Sequence, residues 1–108
     1  MAWTVTTLDA RVDAELDDLP VDMRARFNRV ANLIAAVGLQ NVHEPHVKHI
    51  EGVLWEMRMT GRDGISRALY VTEVGERVVV LRVFVKKTQK TPRREIDIAL
   101  ARMREIRR

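Results

Sequence analysis

The hydrophobic rhythm of this chain switches from helical to strand-like near its middle, and that change limits the folds open to it. Met23, Phe27, Val30, Ile34 and Val37 recur every three or four residues, the spacing that lines one face of a helix, and Gly38 follows where a C-terminal stop is expected. From Val53 the period becomes two: Val53, Trp55, Met57 and Met59 point one way, and Glu56 and Arg58 the other, as in a half-buried strand. Ahead of the long helix, Trp3 to Thr7 reads as a short strand from its β-branched content. Leu8, Val12, Leu16 and Leu19 then repeat at helical spacing among acidic residues, and Pro20 separates that helix from the next. Leu39 to Gly52, with Pro45 and three histidines, reads as a connector.

Beyond Met59, Thr60-Gly61-Arg62-Asp63-Gly64 is turn chemistry, and a strand is expected from about Ile65 to Glu73. Val74-Gly75-Glu76-Arg77 predicts a tight hairpin with Gly75 at the first central position of a type II′ turn. Val78 to Val85 is a nearly unbroken apolar run, typical of an inner strand. Thr91 suits an N-cap, Pro92 the first helical position, and Ile96, Leu100, Met103 and Ile106 the buried stripe of a last helix. The expected order is β-α-α-β-β-β-α. This is an α+β fold: a small antiparallel sheet with the helices on one face, the two N-terminal ones first and a C-terminal helix last. At 108 residues and 46% hydrophobic, the chain is expected to form one domain over residues 1–108.

Charge is distributed unevenly along this scaffold. Up to Val47 there are four Arg and no Lys against seven acidic residues, a net of −3; from Lys48 onward the net is +7, and together they give +4. Lys86, Lys87, Lys90, Arg93 and Arg94 fall between the last strand and the last helix with no acidic residue among them. Such asymmetry points to a polyanionic partner, nucleic acid before an anionic membrane. The absence of cysteine excludes disulfides, thiolate zinc sites and a thiol nucleophile. His43, His46 and His49 recur at three-residue spacing without the partners a zinc site needs, so no metal and no cofactor is expected. No signal peptide or apolar span is evident, and a cytoplasmic protein without a membrane partner is expected.

If Arg58 and Arg67 share the sheet face left open by the first two helices, they make a cationic floor beside Lys86, Lys87 and Lys90. Arginine grips phosphate bidentately and lysine acts as a mobile point charge, so the set can both orient a backbone and respond to developing charge. The start of the last helix would add to the anion site.

The segments Leu54-Trp55-Glu56-Met57-Arg58, Ser66-Arg67-Ala68-Leu69-Tyr70 and Val80-Leu81-Arg82-Val83-Phe84-Val85-Lys86-Lys87-Thr88-Gln89-Lys90-Thr91-Pro92 resemble the phage-derived, HigB-like branch of the RelE/ParE toxin superfamily. The Trp-led N-terminal strand, the Leu-Pro between the helices and Pro45-His46-Val47-Lys48 extend the likeness over most of the chain. The resemblance implies the toxin of a type II toxin–antitoxin pair: an endoribonuclease that cuts mRNA on the ribosome. It also implies a helix-turn-helix HigA-like antitoxin as partner, with operator DNA bound only through the toxin–antitoxin complex. The implied chemistry is metal-independent attack by the ribose 2′-OH on the adjacent phosphate, leaving a 2′,3′-cyclic phosphate. Within the same fold, a ParE-like gyrase inhibitor and a non-catalytic nucleic-acid-binding module are the alternatives.

By that resemblance Arg58 and Arg67 contact the scissile phosphate, and Lys86 and Lys87 are the next catalytic candidates. Relatives commonly carry lysine where this chain has Glu56, which leaves two roles for it: base for the 2′-OH, or ion-pair partner of the arginines. A lysine base would need its pKa lowered from about 10.4, and crowding by like charges does that. Lys90, Arg93, Arg94, Lys48 and His49 are expected to flank the RNA, with His49 a candidate proton donor. Tyr70 has two readings, stacking on a base or packing in the core. Trp3 and Trp55 are expected in the core.

Overall fold

Alternation in the second half of the chain builds most of a five-stranded sheet. In this computed structural model, residues 2–86 and 90–106 are described. The elements are β1 (Thr4–Thr7), α1 (Ala10–Asp17), α2 (Val21–Val37), a short 3-10 turn (Leu39–Asn41), β2 (Val47–Glu51), β3 (Leu54–Gly61), β4 (Gly64–Glu73), β5 (Arg77–Lys86) and α3 (Arg93–Ile106). The strand order is β1-β5-β4-β3-β2.

The α+β class agrees with the expectation, and four details differ. First, β1 pairs with β5 in parallel, so the sheet is mixed. Two helices intervene between β1 and the rest, and a crossover of that length permits parallel pairing. Second, the expected connector contains β2, which pairs antiparallel with β3 and forms the sheet edge. Its Val47 is buried while Lys48 and His49 are exposed. A five-residue edge strand with this composition leaves little periodic signal.

Third, the helices lie on both faces. Val12, Met23, Phe27, Val30 and Ile34 from α1 and α2 pack with Met57, Met59, Ala68, Tyr70, Val78 and Val80. On the opposite face, Ile96 and Ala99 of α3 pack with Leu54, Leu69, Val71, Val79 and Leu81. Positions of β3 that alternation assigns to solvent, Leu54 and Glu56 among them, are therefore buried. The β4–β5 turn also departs from type II′, since Gly75 (φ 91°) and Glu76 (φ 58°) both have positive φ, whereas type II′ needs it only at the first.

Beyond Val80, β5 outruns β1 and exposes backbone on its outer edge. Side chains close it: Glu15 of α1 accepts the Val83 N–H at 3.0 Å, and Arg102 of α3 donates to the Leu81 carbonyl at 2.8 Å. Glu15 also pairs with Arg82 and Arg102, and Arg82 with Glu95, so one network joins both helical layers to the sheet. Capping an open edge in this way guards it against pairing with another chain. Burial raises the Glu15 pKa, but the Arg102 hydrogen bond, the Val83 N–H and the charges of Arg82 and Arg102 outweigh it and hold the carboxyl below its ordinary value. The stability Glu15 contributes is thus fully present above the unfolded carboxyl pKa and is lost as pH falls through the folded one. Glu15→Ala should cost about 2–3 kcal/mol in urea unfolding at pH 7, and the gap from the parent should narrow in acid.

Candidate nucleic-acid interface

Period-two geometry and the hairpin register bring the candidate residues to one corner. Arg58 and Arg67 stand directly opposite each other on β3 and β4, and Lys48 of β2 stands opposite Glu56. Directly opposed residues share a face, and here that face is the one α3 covers at its other end. Lys86, at the end of β5, stands opposite Ile65 on the same side.

Glu56 organises this corner. Its Oε2 accepts from Arg58 Nε at 3.2 Å and, in a shorter contact, from Arg67 Nη1; its Oε1 accepts from the Thr91 hydroxyl at 2.7 Å. Thr91 was expected to cap α3. The helix begins one residue later, at Arg93, and the Thr91 hydroxyl donates to the buried carboxylate, tying the entry of α3 to β3. Glu56 is only 1% exposed with both oxygens engaged, which is the ion-pair role of the two read from sequence.

Arg67 is equally sealed, at 1% exposed, and its Nε–H has no hydrogen-bond partner among the described residues. Burial lowers its pKa, the Glu56 charge opposes that, and the Arg58 charge adds to it. A phosphate entering from solvent would meet Arg58, which is partly exposed, and feel Arg67 through its field; direct contact by both is not what this packing offers. Lys86 is 5% exposed. Burial, followed by the charges of Arg67, Arg58 and Lys48, pushes its amine down to about 8 against the pull of Glu56. A buried lysine crowded by cations is one whose neutral form is accessible near physiological pH.

Above this floor lies a groove of about 760 Å³, bordered by Lys48, Glu56, Arg58, Lys90, Thr91 and Arg93. Its size suits a nucleotide-scale ligand. Lys90 is exposed on its border, Arg93 is paired with Glu51 and Asp97, and Arg94 is exposed outside the groove's lining. Lys87 lies outside the described residues.

Of the two other candidates, His49 borders this groove at the edge strand while its ring turns to the far face, and Tyr70 lies apart from it. His49 neighbours Lys48 in sequence, so strand alternation turns it to the opposite face, where it pairs with Trp55 across the strands and its Nε2 lies 2.8 Å from the Gly52 carbonyl oxygen. Tyr70 is buried in the core beneath α2, and burial raises its hydroxyl pKa, so packing is its role rather than stacking. Trp3 does pack partly against that core, but Trp55 is 39% exposed. The apolar layer under α1 and α2 covers Met57 and Met59 and stops short of it. Among the described residues no cluster of His, Asp and Glu is arranged to hold a metal ion, and no helix is long and apolar enough to cross a membrane.

The chain thus combines a mixed sheet flanked by helices on both faces with a cationic corner at the start of its C-terminal helix. Residues 14–104 match the family described as phage-derived protein Gp49-like, and the chain belongs to that family. The solved structure of E. coli toxin RelE, an arginine double mutant in the free state, superposes with a TM-score of 0.63 at 16% identity, covering 95% of this chain and 99% of that one. The resemblance drawn from the sequence is thus met by family and by fold. No curated protein matches the chain.

Proposed function

We propose that this protein is the HigB-like toxin of a type II toxin–antitoxin pair and an endoribonuclease that cleaves mRNA on the ribosome. The observation that carries this reading is the gathering of Arg58, Arg67, Lys48 and the depressed Lys86 amine around one buried carboxylate under an open groove. A passive phosphate-binding module has no use for a lysine driven toward its neutral form, whereas a nuclease acting through the 2′-OH does.

In the proposed reaction Arg58 binds a non-bridging oxygen of the scissile phosphate, and the field of Arg67 and Lys48 stabilises the charge that grows on it. Neutral Lys86 takes the 2′-OH proton as the 2′-oxygen bonds to phosphorus. The bond from phosphorus to the 5′-oxygen breaks, that oxygen is protonated, and a 2′,3′-cyclic phosphate remains. No metal is needed. The antitoxin is a helix-turn-helix protein of HigA type, through which the complex reaches operator DNA.

Primer extension on translated mRNA tests this. The parent should give cuts phased to codons, and Arg58→Ala should lower cleavage by about 10²-fold or more and relieve growth arrest. Gyrase–DNA adducts without RNA cuts would instead support the ParE-like alternative.

A further inference from the structure

A second groove, of about 790 Å³, lies on the other side of β2 from the cationic one. Trp3, Trp55, His43 and His49 are among its walls, and Gln40, Glu44 and Thr72 supply polar edges. Trp55 is an exposed residue, and its ring and that of His49 meet in a T-shaped arrangement with 5.1 Å between centroids and an interplanar angle of 62°. Lys48 and His49 border both grooves. Because β2 is the last strand of the sheet, no further strand separates the two.

We propose that this groove is a base-binding subsite, in which a nucleotide flanking the scissile phosphate turns around β2 and stacks its base on Trp55. The inference rests on the cationic groove holding the RNA backbone. An exposed indole offers the π-face that unstacked bases use, and the amide, carboxylate and hydroxyl around it can meet a base edge. A polynucleotide supplies what the two adjoining grooves ask for in one molecule, anionic phosphate for one and a flat polar-edged ring for the other. An apolar protein segment would match the second groove alone.

The probes are a short single-stranded 2′-O-methyl oligoribonucleotide, which cannot undergo 2′-OH attack, and the same backbone carrying abasic sites. Trp55→Ala should weaken binding of the base-bearing oligomer about ten-fold or more and leave the abasic one unchanged. Trp55→Phe should restore most of the loss, and its thermal unfolding should match the parent. Equal affinity of Trp55→Ala and the parent for the base-bearing oligomer would overturn the subsite. Arg58→Ala separates the two readings: if it weakens both oligomers while Trp55→Ala weakens neither, only the base site falls. If neither substitution matters, the phosphate groove falls with it.

Discussion

Lys86→Met should abolish the alkaline rise in cleavage rate that the parent shows, and lower the rate at pH 8 by about 10²- to 10⁴-fold, the usual contribution of a general base. A base acts unprotonated, so with its amine near 8 the parent's rate should climb through the neutral range and level off above about pH 8. At pH 7 about a tenth of the amine is then neutral, against less than about a thousandth for an ordinary lysine. The substitution should move stability the opposite way from the rate. The folded pKa lies below the unfolded value of 10.5, so the fold is penalised while the lysine is protonated in both states, and the penalty fades as pH rises from 8 toward 10.5. Lys86→Met should therefore be at least as stable as the parent at pH 7 while nearly inactive. A variant that keeps the alkaline rise would remove Lys86 from the mechanism and turn attention to Lys87.

Glu56→Ala should cost about 3–5 kcal/mol, because it strands the Arg67 guanidinium in the interior beside Arg58 and Lys86 with no counter-charge. Against a total stability of about 5–15 kcal/mol for a domain, that is close to unfolding. Urea denaturation reads the loss directly, and the Glu56→Met, Arg67→Met double variant should recover much of it, since removing both partners leaves no buried charge. A single variant within about 0.5 kcal/mol of the parent would mean that water already reaches the pair. Glu56→Gln keeps the shape and separates the two roles. The Glu56 charge raises the Lys86 pKa, so its removal should shift the alkaline rise to lower pH; if Glu56 were the base, the rise would disappear.

The cationic corner was legible because it depends on two local rules. Strand alternation puts Glu56 and Arg58 on one face, and the short turn at Arg62 and Asp63 sets the register that brings Arg67 opposite Arg58. The same rule applied to β2 turns the His49 ring to the far face, although the residue borders the cationic groove. Once Lys48 to Glu51 is a strand, Lys48 and His49 must point apart. Thr91 carries a contact that no local pattern announces, since its hydroxyl donates to Glu56, 35 residues away in the chain. Trp55 looked like core because alternation says which face a side chain takes and not how far a helix extends over it.

The sequence by itself determined the α+β class, the inward face of α2 and the concentration of cations after β5. These follow from the periods of helix and strand and from composition, which need no distant partner. Tertiary structure decided the parallel docking of β1, the placing of α3 on the face opposite α2, and the burial of Glu56, Arg67 and Lys86. Burial is a property of what covers a residue. It depends on contacts between segments far apart in the chain, and it turns the cations of the β3–β5 corner from a solvated patch into a site where one lysine can lose its proton near pH 8.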